Sequence, residues 1–190
     1  MKKLNRAVII ISRIVEVFMW VGCGLSVIIT ALSAAGKFGA LKYFTNAGQG
    51  SPYLTNGNFV ILGTNAAGEP SRGAYVIFFL TLVVVFALMA MIARNVYLVF
   101  KTSEGRTRFS EGETPFQPDN VRMVREIGIF AIAIQVAEIV MAIIARVALG
   151  PDAVEASMNM EGIFFGLVVL ALSQFFAYGM KLESDVDGLL

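Results

Sequence analysis

Four long, mostly apolar stretches, at 7–32, 75–99, 127–147 and 162–178, dominate this 190-residue chain and limit what it can fold into. A helix rising about 1.5 Å per residue needs about 20 such residues to cross a hydrocarbon core roughly 30 Å thick. A chain that is 57% hydrophobic and 15% charged is also far more apolar than an ordinary soluble domain. The expected fold is therefore all-α: one four-span transmembrane domain over residues 1–190, packed as a membrane four-helix bundle. The last stretch is the shortest, but it has no charge before Lys181, and snorkelling flanks make up its length. The start, MKKLNR before an apolar run and ALSAAG, has the outline of a secretory signal. The run is too long for one and is interrupted by Arg13 and Glu16, so it reads as the first span.

Orientation follows from the basic residues, because Lys and Arg in short loops are retained on the cytoplasmic side. Lys2, Lys3 and Arg6 precede the first span; Lys101, Arg106, Arg108, Arg122 and Arg125 lie between the second and third; Lys181 follows the fourth. The other side carries only Lys37, Lys42 and Arg72 in the loop 33–74, and no cation between Ala148 and Glu161. Both termini are expected in the cytoplasm, with the chain multi-pass in the cell membrane. Within the external loop, Tyr53-Leu54-Thr55-Asn56-Gly57-Asn58-Phe59-Val60-Ile61-Leu62 places Asn-Gly between apolar residues, a signal for a small β-hairpin. Such a hairpin either caps the bundle or receives a ligand. In the cytoplasmic loop 100–126, Pro118 fits a first helical position and Asp119 suits the positive end of the helix dipole. A helix starting there carries Val121, Val124 and Ile127 on one side and turns Arg122 and Arg125 towards headgroups or water.

Ionisable groups inside spans are costly and so mark candidate sites. Arg13, Glu16, Arg94 and Glu138 fall in the cytoplasmic half of their spans, with Gln135 and Gln174 at a comparable level. Together they form an expected intramembrane polar layer. Two carboxylates and two arginines in low dielectric suggest a two-by-two charge cluster of unspecified pairing. The layer either holds the bundle in register or forms a proton, ion or ligand site. On the third span Ala131, Gln135, Glu138, Ala142 and Ala145 share one face; Gly162, Gly166, Ser173 and Ala177 form a small-residue stripe on the fourth, and Gly22, Ser26 and Thr30 on the first. Arg146 reads as an interfacial anchor, Trp20 as a core or lipid contact, and Glu183, Asp185 and Asp187 as a solvated, flexible acidic end.

Several chemistries are excluded. The single cysteine, Cys23, allows no intramolecular disulfide or Cys-X-X-Cys chemistry, and the absence of histidine removes His-based catalysis and His-ligated haem. No span contains an Asp, a His or a Ser-Lys pair, so an enzyme is not expected, nor a cofactor or a bound metal. A net charge of +1 gives no basis for direct nucleic-acid binding.

The segment Gly112-Glu113-Thr114-Pro115-Phe116-Gln117-Pro118-Asp119-Asn120-Val121-Arg122-Met123-Val124-Arg125-Glu126-Ile127-Gly128, and the close of the last span in Phe175-Phe176-Ala177-Tyr178-Gly179 before an acidic tail, resemble a bacterial family of four-span membrane proteins of the DUF2975 type. Its members tend to have Pro-Phe, then Glu/Asp-Asn-Val and a basic helix, with Thr or Ser where this chain has Gln117, a poorer cap. The resemblance extends to the long loop between spans one and two. It carries no catalytic residues over. What it implies is context, since such proteins are often encoded beside a small Cro-type helix-turn-helix regulator. On that reading the chain is a non-enzymatic sensor or regulatory partner of a cytoplasmic protein, contacting it through Pro115, Phe116, Asp119, Asn120, Arg122 and Arg125 or through the tail from Lys181. The competing reading is a small ion- or proton-coupled transporter using Glu16 and Glu138, against which stand the long external loop and the neighbouring arginines. The signal or substrate is left open, as is assembly into a homo-oligomer.

Overall fold

The computed structural model describes residues 2–37, 53–57, 59–65, 69–108, 110, 114–156 and 160–187. Of the long loop between the first two spans, 38–52 and with it Lys42 lie outside the described residues, as do Asn58 of the hairpin and Gly112 and Glu113 of the second loop. Four long helices carry the chain: α1 Lys2–Ala34, α2 Arg72–Ser103, α3 Pro118–Leu149 and α4 Met160–Asp187. Each is long and apolar enough to cross a membrane. All four outrun their apolar stretches, because intrahelical hydrogen bonds continue into charged flanks that can be solvated. α3 starts at Pro118, where the missing N–H costs nothing, and the Val121 amide donates to the Gln117 carbonyl at 3.1 Å. α2 stops at Gly105, whose φ of 69° lets the Gly105 and Arg106 amides cap the carbonyls of Thr102 and Lys101. α4 stays helical to Asp187, so the expected flexible tail from Lys181 is in large part a helix end.

α1 shows why these helices belong in lipid. Ser12, Glu16, Ser26 and Ser33 are its buried residues, whereas Ile10, Ile14, Val17, Phe18, Val21, Leu25 and Ile28 are exposed. This inverts the pattern of a helix on a water-soluble protein, where the apolar stripe faces the core. Trp20 lies on the exposed side as well. The chain is a multi-pass membrane protein.

The chain divides into two compact units, and α1, α2 and α3 each contribute residues to both. The first comprises Met1–Met19, Leu88–Ala133 and Met160–Leu190, so it holds a segment of every helix. Its apolar centre is Val124, Ile127 and Val169, flanked by Ile92, Val96 and Val99. Here α3 and α4 meet backbone to backbone: a Cβ on Gly128 would lie 2.8 Å from the Gly166 carbonyl oxygen, and one on Gly166 would lie 2.9 Å from that of Gly128 and 2.5 Å from Ile132 Cγ1. Small residues permit this approach, as the stripe on α4 implied. The C-terminal turns of α4 pack on the α2–α3 loop, with Phe116 and Phe176 at 5.9 Å between ring centroids.

The second unit, Trp20–Ala87 with Ile134–Asn159, contains segments of three helices and none of α4. A three-stranded antiparallel sheet supplies the apolar cover that a fourth helix would otherwise give. β1 (Tyr53–Asn56) pairs with β2 (Phe59–Leu62) in the register Asn56 to Phe59, so the turn starts at Gly57, φ 55°, one residue later than Asn-Gly placement implies. β3 (Val154–Ala156), reached from α3 through a 3-10 turn at Pro151–Ala153, pairs with β2 from Phe59 to Ile61. Period-two alternation buries Leu54, Phe59 and Ile61 against Ala74, Tyr75, Phe78, Phe79, Ala142, Ala145 and Val154. The Phe59 ring stacks on Phe78 at 6.2 Å, and Phe78 meets Phe79 edge-on at 5.4 Å. The hairpin thus lies as an apolar cover on the α2 and α3 segments of this unit.

Filling the α3–α4 crossing is the direct test of this packing. Gly128→Ala and Gly166→Ala should each destabilise the protein by about 1–3 kcal/mol, the usual cost of overpacking. Gly24→Ala, where a Cβ meets nothing within 4 Å, should be neutral or gain up to about 1 kcal/mol of helix propensity. Reversible unfolding in mixed micelles reads all three.

Candidate functional site

In the first unit, Arg13 Nη1 bonds Glu16 Oε2 at 2.7 Å, an i,i+3 pair on α1. Glu16 is 5% exposed, and Arg13 reaches out from beside it to lie over the Tyr97 ring at 5.5 Å from the centroid. These two groups thus pair within a single turn of one helix. Arg94, on the exposed side of α2, makes no ion pair among the described residues. Gln174 is also exposed, and its neighbour Ser173, fully buried, is the residue that α4 turns inward. The unit contains a second polar contact between helices: Asn95 Nδ2 donates to Glu126 Oε2 at 2.9 Å. Asn95 is 7% exposed, and an unpartnered amide there would cost about 1–3 kcal/mol.

In the second unit, Gln135 is buried and Glu138 is half-buried on the same face of α3 as Ala142 and Ala145. Glu138 has no cation within 4 Å among the described residues. Its Oε1 accepts instead from Asn56 Nδ2, the last residue of β1, at 3.4 Å. A bond of that length is weak. The geometry thus joins the turn end of the hairpin to a carboxylate borne by a membrane helix. Among the described residues no group of three Cys, Asp or Glu side chains is placed to share a metal ion.

The α2–α3 loop is held from three sides. Asn120 is fully buried, and its Nδ2 donates to Ser103 Oγ and to the Pro115 carbonyl, both at 3.0 Å, tying the start of α3 to the end of α2. Gln117, 1% exposed, donates from Nε2 to the Thr114 carbonyl at 2.7 Å. Its side chain folds the loop back on itself while its carbonyl opens α3. Thr114 Oγ1 donates to Glu183 Oε2 at 2.9 Å, so one acid of the tail anchors the loop. Phe116 lies against Gly179, where a Cβ would come within 2.5 Å of its ring. Among the residues read as a partner surface, Asn120 is thus an internal staple. Pro115, Phe116, Arg122 and Arg125 remain exposed, with Asp119 half-buried and paired to Arg122 at 3.1 Å.

Asn120→Ala should leave Ser103 Oγ and the Pro115 carbonyl without their donor and cost about 1–3 kcal/mol. The expected outcome is faster tryptic cleavage at Arg106 and Arg108 in detergent, with little change at sites outside the loop.

The chain matches no model of a known family, no curated protein and no solved structure. What stands of the resemblance drawn from its motifs is the shared plan of four long apolar helices.

Proposed function

We propose that this chain is a non-enzymatic membrane sensor or regulatory subunit that acts with a cytoplasmic protein, such as a small helix-turn-helix regulator. The observation that carries the reading is the bond from Asn56 on the hairpin to Glu138 on α3. α3 is one unbroken helix from Pro118 to Leu149, and its first turn is stapled to the α2–α3 loop through Asn120. A ligand or ion that breaks or strengthens the long Asn56–Glu138 bond acts on a helix whose first turns carry the exposed Arg122 and Arg125. Two states of that helix, differing in affinity for the partner, are all such a sensor needs. With both termini in the cytoplasm, the hairpin faces outward and the loop inward. Transport coupled to Glu16 finds less support, because Arg13 already neutralises that carboxylate at 2.7 Å.

Affinity purification of the full-length protein in mild detergent, with mass spectrometry of the eluate, tests the reading. A stoichiometric cytoplasmic protein is expected with the unaltered chain, reduced at least about tenfold by Arg122→Glu with Arg125→Glu, the loss of roughly 1.4 kcal/mol or more. Glu138→Gln should change the amount retained without changing the fold. A partner that survives the double charge reversal, or none with the unaltered chain, refutes the proposal.

A further inference from the structure

We propose that Arg94, Tyr97 and Lys101 of α2, together with Arg13 of α1, form a binding site for the phosphate of an anionic phospholipid headgroup. Positions 94, 97 and 101 follow the i, i+3, i+7 spacing that places side chains along one helix face. Tyr97 gathers two cations onto that face: Lys101 Nζ lies 5.2 Å from its ring centroid and donates to its hydroxyl at 2.9 Å, and Arg13 lies 5.5 Å from the same centroid. Like charges held on one ring repel unless an anion joins them.

The protein supplies only part of that compensation. Glu16 is paired with Arg13, is almost fully buried, and faces this group from α1. Glu104, the nearest acid following along α2, is committed to Arg106 at 3.1 Å. Arg94 and Lys101 have no carboxylate within 4 Å among the described residues, so the group presents more positive than negative charge. Lys101 and Tyr97 are half-buried, and Arg13 and Arg94 are exposed. A ligand can reach all four.

Depth points to lipid. Between Arg72 and Arg94 α2 has no charge, a stretch of about 20 residues or roughly 30 Å, the thickness of the hydrocarbon core. From Val17 to its end at Ala34 α1 is uncharged as well, about 18 residues or roughly 27 Å. On this measure Arg13 and Arg94, expected within the spans, are instead the first cations past the core, at the level of lipid phosphates. Lys101 follows about 10 Å further on. One turn nearer the core, exposed Val17 and Met91 offer an apolar wall to an acyl chain. Basic sites between membrane helices are the usual receptors for such headgroups.

Native mass spectrometry of the full-length protein in detergent, titrated separately with phosphatidylglycerol, phosphatidylcholine and inorganic phosphate, tests the site. Phosphatidylglycerol should be retained, phosphatidylcholine and inorganic phosphate should not, and Arg94→Gln with Lys101→Gln should weaken retention at least about tenfold, as removal of two headgroup-facing cations implies. Arg146→Gln, which removes an exposed arginine elsewhere, should change it less than about twofold. Both variants alter groups without ion pairs, and unchanged melting in detergent confirms that they fold. Equal retention of the two lipids, an equal fall with Arg146→Gln, or no fall with the double variant overturns the proposal. Phosphate bound through the same residues without lipid preference overturns the lipid assignment and marks a site for a soluble anion.

Discussion

Hydrocarbon offers no hydrogen-bond partner, so every polar group on a membrane helix must be satisfied by the protein itself or reach the headgroups. The organisation of this chain follows from that constraint. Three hydroxyls bond back to their own helix, Thr30 to the Ser26 carbonyl at 2.7 Å, Thr81 to Ile77 at 2.8 Å and Ser173 to Leu170 at 2.7 Å, while Ser33 Oγ, buried near the end of α1, has no partner among the described residues. Glu16 is answered by Arg13 three residues away, and Asn95 by Glu126 of the neighbouring helix. Because lipid is as apolar as leucine, no hydrophobic drive brings the helices together there. Close packing at small residues does so instead, as at Gly128 and Gly166.

The position of that crossing has consequences for both units. Gly166 lies near the start of α4 and Gly128 about a third of the way along α3, so the later turns of α4 pass the start of α3 and meet the α2–α3 loop. There Phe116 settles on Gly179 and Phe176, and Thr114 on Glu183. The turns of α3 from Ile134 onward share their unit with no part of α4. β1, β2 and β3 bury Phe59 and Ile61 there and give their backbone groups to one another, so apolar residues of a loop cover the helices while the strand amides stay paired.

Much of this was legible in the residues. The four helices follow from length and hydropathy, the start of α3 from Pro118, and the hairpin from alternation on either side of a glycine. The inward face of α3, with Ala131, Gln135, Ala142 and Ala145 buried, follows from helical spacing. β3 was not legible, because three residues of Val-Glu-Ala carry too little pattern and its pairing is long-range. Asn120 looked like an exposed loop residue; its burial depends on the contact it makes with Ser103, 17 residues earlier at the end of α2, which no local signal gives. Ser173 lies on the small-residue stripe and is buried, whereas Gln174, about 100° of helix rotation away, is exposed. The partner of Glu138 could not be read because Asn56 is 82 residues away.

Four membrane crossings underlie this organisation, and cysteine accessibility in intact cells tests them most directly. In a Cys23→Ser background, single cysteines at Lys37, Gly105, Asp152 and Asp185 are probed with a membrane-impermeant maleimide before and after the membrane is opened. Lys37→Cys and Asp152→Cys should label in intact cells, and Gly105→Cys and Asp185→Cys only after opening. Labelling of Gly105→Cys together with Lys37→Cys, or of Asp185→Cys together with Asp152→Cys, would contradict the four-span arrangement at α2 or at α4 respectively.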